Sequence, residues 1–372
     1  MSSDIHLNII TFDIPYPANY GGVIDVFYKL QALTKAGINI HLHNFQYGRE
    51  ASTELEKICH KTYYYPRKPF GNPFRTKLPY IVKTRWSEKL LHNLLKNDYP
   101  ILFEGLHCTF YIDNEKLKNR LKIVRMHNIE YLYYKHLAKV ESNFLRKYYF
   151  NSEANRLRKY QQKLNIASYI AAISPSDHKI LKLKHGNSFY LPVFHPNQKV
   201  TSKNGIGDYV LYHGNLGVGE NNEAALFLVN NVLNDLKIPT IIAGNNPSKE
   251  LQNAIKDNYH IKLITPKLDE IYPLIENAQI NILPTFQDTG IKLKLLNALF
   301  MGRFCIVNNK MIKDTGLEKL CIVADDITSM KEKISEYYNK NFNSTHKEAR
   351  EKILNSKFDN NKNIKILISK IK

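Results

Sequence analysis

The chain is short of acid, of cysteine and of long apolar runs. Its 372 residues carry 53 Lys and Arg against 34 Asp and Glu, a formal charge of +19. That imbalance implies an anionic partner: a membrane surface, a nucleic acid or a phosphorylated substrate. No stretch matches a nucleic-acid-binding module, so nucleic acid is not expected. Cys59, Cys108, Cys305 and Cys321 are scattered. They form neither a disulfide framework nor a metal-ligand spacing, which fits a reducing cytoplasm. No apolar run approaches the roughly 20 residues that cross a bilayer. The start, MSSDIHLNIITF, lacks the basic and apolar regions of a signal peptide. The expected location is therefore cytoplasmic, with peripheral attachment to the inner face of the cell membrane left open. G-x-G-x-x-G is absent, which removes the dinucleotide fingerprint.

What is present is an alternation of apolar strand-like runs and amphipathic helices, over a length that suits about two domains. The stretch Ile280 to Asn308 (INILPTFQDTGIKLKLLNALFMGRFCIVN) reads as strand, polar loop, helix and strand. Ile280 to Leu283 suits a buried parallel strand. Gly290 opens a helix with Lys292 and Lys294 in its first turn, and Gly302 ends it. A helix start at the carboxyl end of a parallel strand offers free N–H groups and a positive dipole end to an anion. Asn297 lies one turn deeper, on the face of Lys294. The pattern reads as a cradle for a diphosphate beside a ribose.

The first half opens with a strand at 5–12, the loop DIPYPANYGG, a helix from about Val23 to Lys35 and a strand at 38–45. Gly21 and Gly22 let backbone approach a ligand closely. Glu104 and His107 follow one apolar strand; Arg125, His127, Asn128 and Glu130 follow the next. Both groups sit where parallel sheets bind ligands. Residues 61–86 interleave basic and aromatic side chains among four prolines and a glycine, which argues against regular structure through much of the segment; the mix suits an anionic lipid interface. A polar stretch, 194–208, is the expected linker. Strands are expected near 209–213, 239–243, 261–265, 280–283, 304–307 and 321–324. The loop Gly214 to Asn222 (GNLGVGENN), with Gly214 and Asn215 at its head, is a second anion-tolerant turn. Basic helices fill 327–372.

Taken in order, these motifs resemble the GT-B glycosyltransferases, and within them glycosyltransferase family 4. Tyr20-Gly21-Gly22 looks like that family's glycine loop. Arg125 to Glu130 (RMHNIE) looks like its HN-x-E motif, and Ala172 to Asp177 (AISPSD) like its iS-x-x-D segment. Leu211 to Ala224 resembles the turn opening its second domain, Ile241 to Gly244 its iaG strand, and Pro284 to Val307 its donor segment. Two departures are visible. The family's paired glutamates fall on Thr289 and Asn297, and its usual Arg falls on Asn215.

The resemblance implies an α/β GT-B fold, two doubly wound Rossmann-like domains facing a central cleft. Residues 1–193 would bind the acceptor, with a final helix at about 357–372 returning to them, and 207–356 would bind the donor. It implies a retaining, metal-independent hexosyltransferase, with a nucleotide-diphosphate sugar as donor substrate and no cofactor. Gly290, Ile291 and Lys292 would hold the diphosphate, helped by Thr289, Gly214 and Asn215. Lys294 would neutralise the leaving group, Asn297 would hold the ribose, and His127 would touch the donor sugar. Glu104, His107, Arg125, Asn128, Gly21 and Gly22 would bind substrate. The acceptor would be a glycan or a lipid-linked sugar, and another glycosyltransferase is an open partner. The alternatives are a non-catalytic GT-B partner protein and a nucleotide-sugar epimerase.

Overall fold

Apolar β-rich runs pair in parallel into two separate sheets. The computed structural model describes residues 4–69, 73, 76–141, 143–267, 269–286 and 293–372. These fall into two units: 4–196 with 358–372, and 197–286 with 293–357. The division falls after Pro196, inside the polar stretch 194–208.

The first unit has seven strands: β1 (His6–Thr11), β2 (Asn39–Gln46), β3 (Lys61–Pro66), β4 (Ile101–Glu104), β5 (Lys122–Met126), β6 (Tyr169–Ala172) and β7 (Ser188–Tyr190). Their order is β3-β2-β1-β4-β5-β6-β7, every pairing parallel. Neighbouring residues alternate between two cores, one on each face. Ile9, Leu102 and Ile123 join one; Ile10, Phe103 and Val124 join the other. A sheet buried on both faces needs this near-continuous apolar sequence. The last helix, Asn360–Ile371, inserts Ile364, Leu367 and Ile371 into the core that holds Val26 and Leu30 of the first helix.

The second unit has β8 (Val210–His213), β9 (Thr240–Ala243), β10 (Ile261–Ile264), β11 (Ile280–Ile282), β12 (Phe304–Val307) and β13 (Ile322–Val323). The order is β10-β9-β8-β11-β12-β13, again all parallel. In each unit the strand order reverses once, at β1/β4 and at β8/β11. Ligands of open α/β sheets bind at the carboxyl ends of strands at such reversals.

Two local expectations need correction. The glycine pair does not precede the first helix but begins it: Gly21–Lys35 is helical, with Tyr20 as its extended N-cap. The segment 61–86, expected to be irregular through much of its length, begins with a strand that was not anticipated, since Lys61–Pro66 pairs with β2 over six residues. It is an edge strand, where Pro66 at the last position costs no central hydrogen bond. Arg85 is buried, donating to the carbonyls of Phe12 and Ile81. Arg67 lies over Tyr47, and Lys68 over Trp86. Phe70, Phe74 and Arg75 lie outside the described residues.

Several buried histidines make the fold acid-sensitive. His43 is enclosed between Tyr65 Oη (2.9 Å) and Asn8 Oδ1 (3.0 Å), and burial pushes it down to about 3. Burial, helped by Lys294, pushes His213 down to about 3 as well. Burial takes His195 to about 4 against the pull of its hydrogen bond to the Phe358 carbonyl. Each is neutral when folded but protonates near pH 6.5 when unfolded, so its stabilising share is whole above that pH. It is lost as pH falls from 6.5 toward the folded values, by about 1.4 kcal/mol per pH unit for each group. Calorimetry from pH 7 to 5 should show a falling melting temperature; a flat one would sink this account.

Candidate functional site

In the second unit the strand reversal gathers a polar cluster. Thr285, buried just past β11, donates through its hydroxyl to Glu220 Oε1 at 2.6 Å. Asn308 fixes the Thr285 backbone from both sides, accepting from its N–H and donating to its carbonyl. Glu220 stands in the first turn of helix Gly219–Leu228, whose N-cap Val218 supplies no side-chain cap. Val218 therefore caps none of the first N–H groups of that helix. Lys294, in the first turn of helix Leu293–Met301, reaches back to the same place. Its Nζ donates to Asn221 Oδ1 at 3.0 Å and sits 5.1 Å from the Tyr212 ring centroid. Its ammonium therefore lies at the end of β8 and does not project freely into solvent.

The Gly214 loop is held by its own side chains. Asn215 Oδ1 accepts from Gly217 N–H at 3.1 Å, and its carbonyl accepts from the Asn221 amide. Asn215 thus shapes the turn that carries Gly214, and its side chain is committed to that task. Behind it Gly244 is packed against backbone: a Cβ there would stand 1.9 Å from the Gly214 carbonyl oxygen. Gly244→Ala must push the loop off the sheet. It is expected to cost about 3 kcal/mol and to lower the melting temperature in scanning calorimetry. Asn297, half-buried on the same helix as Lys294, accepts from Asn197 Nδ2 at 2.9 Å. Thr289, Gly290, Ile291 and Lys292 lie outside the described residues.

In the first unit the reversal holds a charge network. Asp25, Lys29, Glu104 and Arg125 are all fully buried. Lys29 Nζ is 2.9 Å from both Asp25 Oδ2 and Glu104 Oε1. Arg125 grips Asp25 with two N–H groups, at 3.0 and 2.9 Å. Burial would raise both carboxyls, but Arg125 and Lys29 hold Asp25 well below its ordinary value. Lys29 and the His127 hydrogen bond likewise depress Glu104. His127 Nε2 lies 3.0 Å from Glu104 Oε2; an ionised carboxylate only accepts, so that nitrogen carries the hydrogen. The other ring nitrogen is 3.8 Å from Asp25 Oδ2, and Phe12 packs edge-on at 5.5 Å.

Among the described residues, Asp25, Glu104 and His127 are the one group whose ligand atoms converge closely enough for a metal, within 4.8 Å of one another. Lys29 already stands against both carboxylates, so a divalent ion would have to displace an ammonium from a buried pair.

Arg125, expected to bind substrate, is fully buried and bonded within its own unit. Its remaining N–H groups go to the carbonyls of Leu191 and Pro192, so it ties β5 to the chain after β7. The reason is physical: a guanidinium with no solvent contact needs every donor satisfied inside the unit. Glu104 is likewise enclosed, acting on His127 from behind. His107 is half-buried; burial and then Arg85 depress it, and its Nδ1 has no partner among the described residues. Asn128 is half-buried beside His127, Gly21 is exposed, and a Cβ on Gly22 would stand 2.7 Å from the Phe12 ring.

Asp25, Lys29, Glu220, Asn221 and Thr285 were missed in the sequence. A signal existed for two. Asp25 and Lys29 are four apart and lie among Val26, Leu30 and Leu33, polar residues on a face that must be buried. Glu130 is a further buried acid. Burial pushes its carboxyl up to about 8 against the pull of Arg85, so it holds a proton near neutral pH.

Two parallel doubly wound sheets, each with polar groups at its strand reversal, define a GT-B architecture. Solved structures share it over nearly the whole chain. Sucrose-phosphate synthase from Thermosynechococcus elongatus matches with a TM-score of 0.71 at 13% identity, covering 98% of each chain. Anabaena HepE in complex with UDP and glucose matches with a TM-score of 0.64 at 12% identity, covering 98% of this chain and 99% of that one. S. aureus TarM, as a variant in complex with fondaparinux, alpha-GlcNAc-glycerol and UDP, matches with a TM-score of 0.64 at 10% identity, covering 99% of each. Residues 207–340, within the second unit, match the family model described as glycosyl transferases group 1. A Klebsiella pneumoniae protein described as an uncharacterized 44.6 kDa protein in the cps region is 29% identical over 356 residues, covering 90% of each chain.

Proposed function

We propose that the chain is a retaining glycosyltransferase. It takes a sugar from a nucleotide-diphosphate donor and passes it to a glycan or lipid-linked acceptor in surface-polysaccharide synthesis. The observation that carries this is the placement of the Lys294 ammonium beside the start of helix Gly219–Leu228, at the strand reversal of the unit that matches the group 1 family model. A leaving diphosphate gathers charge as the glycosidic bond breaks, and fixed donors that meet it there lower the barrier. Lys294 supplies a charge, and the backbone amides after Val218 supply dipoles. By resemblance, the amides of Gly290 and Ile291, with Lys292 and Thr289, would complete the cradle. Asn297 would hold the ribose through a neutral hydrogen bond, weaker than a glutamate's.

In the first unit, His127 would meet the donor sugar. Glu104 fixes its ring and tautomer, and Lys29 keeps Glu104 ionised. Gly21 and Gly22 would admit the acceptor. The UDP bound in the HepE and TarM structures supports a nucleotide-sugar donor, and the cps-region relative supports a polysaccharide setting. None of the roles above calls on a metal, and the cations that counter the leaving group are side chains.

A second reading, a non-catalytic GT-B partner of an active transferase, is favoured by Thr289 and Asn297 standing where the family carries glutamates. A panel of labelled UDP- and GDP-sugars separates the two. A transferase should release nucleotide slowly to water and faster to acceptor, with the product anomer matching the donor. Silence with the whole panel would leave the partner reading.

A further inference from the structure

We propose that the tip of the helical hairpin Glu130–Val140 and Phe144–Tyr160 docks on an anionic lipid bilayer. Val140 is 47% exposed, Phe144 77%, Leu145 72% and Tyr148 60%. Other bare apolar side chains, such as Leu183 and Tyr259, stand alone in the sequence; here four fall within nine residues. Phe144, Leu145 and Tyr148 share one stripe of their helix, three and four positions apart. The buried apolar positions of the two helices lie elsewhere, at Ala138, Ala154, Leu157 and Tyr160, and the last two join the core of the unit.

Charge selects the occupant. Lys135, Lys139, Arg146 and Lys147 are exposed around the tip. The nearby acid, Glu141, is turned to the backbone N–H of Asn143. The core of a protein–protein interface is depleted in charge, whereas an apolar tip ringed by cations matches a bilayer. Phe144 and Leu145 would enter the acyl boundary, Tyr148 would sit at headgroup depth, and the cations would meet lipid phosphates. The basic and aromatic segment 61–86 is the weaker candidate, since Arg67, Lys68 and Arg85 are already paired within the unit. The hairpin starts three residues after His127, so the tip belongs to the unit proposed to take the acceptor. This rests on the reading above only for its purpose; docking is measured without sugar transfer, so the two fail separately.

The test is co-sedimentation of the full chain with vesicles of phosphatidylethanolamine and phosphatidylglycerol, against phosphatidylcholine vesicles, in low and high salt. Binding to the anionic vesicles that weakens with salt is expected. Phe144→Ser with Leu145→Ser should lower partitioning by at least about tenfold at unchanged melting temperature. Lys139→Glu, Arg146→Glu and Lys147→Glu should each lower it on the order of fivefold. Equal binding to both vesicle types, binding to neither, or indifference to all these variants overturns the proposal. So does a dimer that the double serine variant dissolves, which would put a second copy of the chain on the tip.

Discussion

Replacing Lys29 with methionine is expected to destabilise the first unit by about 3–5 kcal/mol, the cost of removing one partner from a buried ion network. The side chain has no solvent contact and bridges Asp25 and Glu104 at 2.9 Å each. Without it Asp25 keeps Arg125, but Glu104 keeps only the His127 hydrogen bond. A buried carboxylate left so poorly countered must take up a proton or admit water. For a unit of this size the melting temperature should fall by roughly 10 °C. The double variant Lys29→Met with Glu104→Gln should recover part of that loss, because it removes the stranded charge as well. Calorimetry of both variants decides the matter: a single variant within about 0.5 kcal/mol of the parent would mean that the network is not coupled as described.

Lys294→Ala is expected to weaken nucleoside diphosphate binding by about 10- to 100-fold, the worth of one charge-assisted hydrogen bond. The substitution should leave the fold nearly intact. Lys294 is half-buried, and Asn221 keeps its own bond to the Asn215 carbonyl when the ammonium goes. Lys294→Arg should restore part of the affinity, since the charge returns in a bulkier form. A variant that melts normally and binds UDP or GDP as the parent does would remove Lys294 from the site.

The order of elements was legible in the sequence because a parallel sheet buried on both faces demands continuous apolar runs. The six strands of the second unit start and stop within a residue or two of their expected limits. What the sequence concealed was the pairing of polar residues distant along the chain. The strand Lys61–Pro66 was not picked out because the four prolines and the glycine of 61–86 argued against regular structure through much of the segment, and edge pairing is not a local property. Arg125 read as a ligand group because it stands at a strand exit; its partner Asp25 lies 100 positions away. An arginine inside an apolar strand is itself a sign of a buried acid elsewhere. The Asp25–Lys29 pair had the spacing of a surface helix pair, and only the apolar residues around it contradicted that. In the second unit, the lysine on an otherwise apolar helix was readable. Its neighbours Glu220 and Thr285 were not, because the strand reversal that joins them is set by topology.

Titration calorimetry of the unmodified protein with UDP and with GDP tests the central claim most directly. Saturable one-to-one binding of at least one of them, weakened by added salt as an anion on a lysine and helix amides should be, is the expected result. Absence of heat with both, on protein shown to be folded, would contradict it.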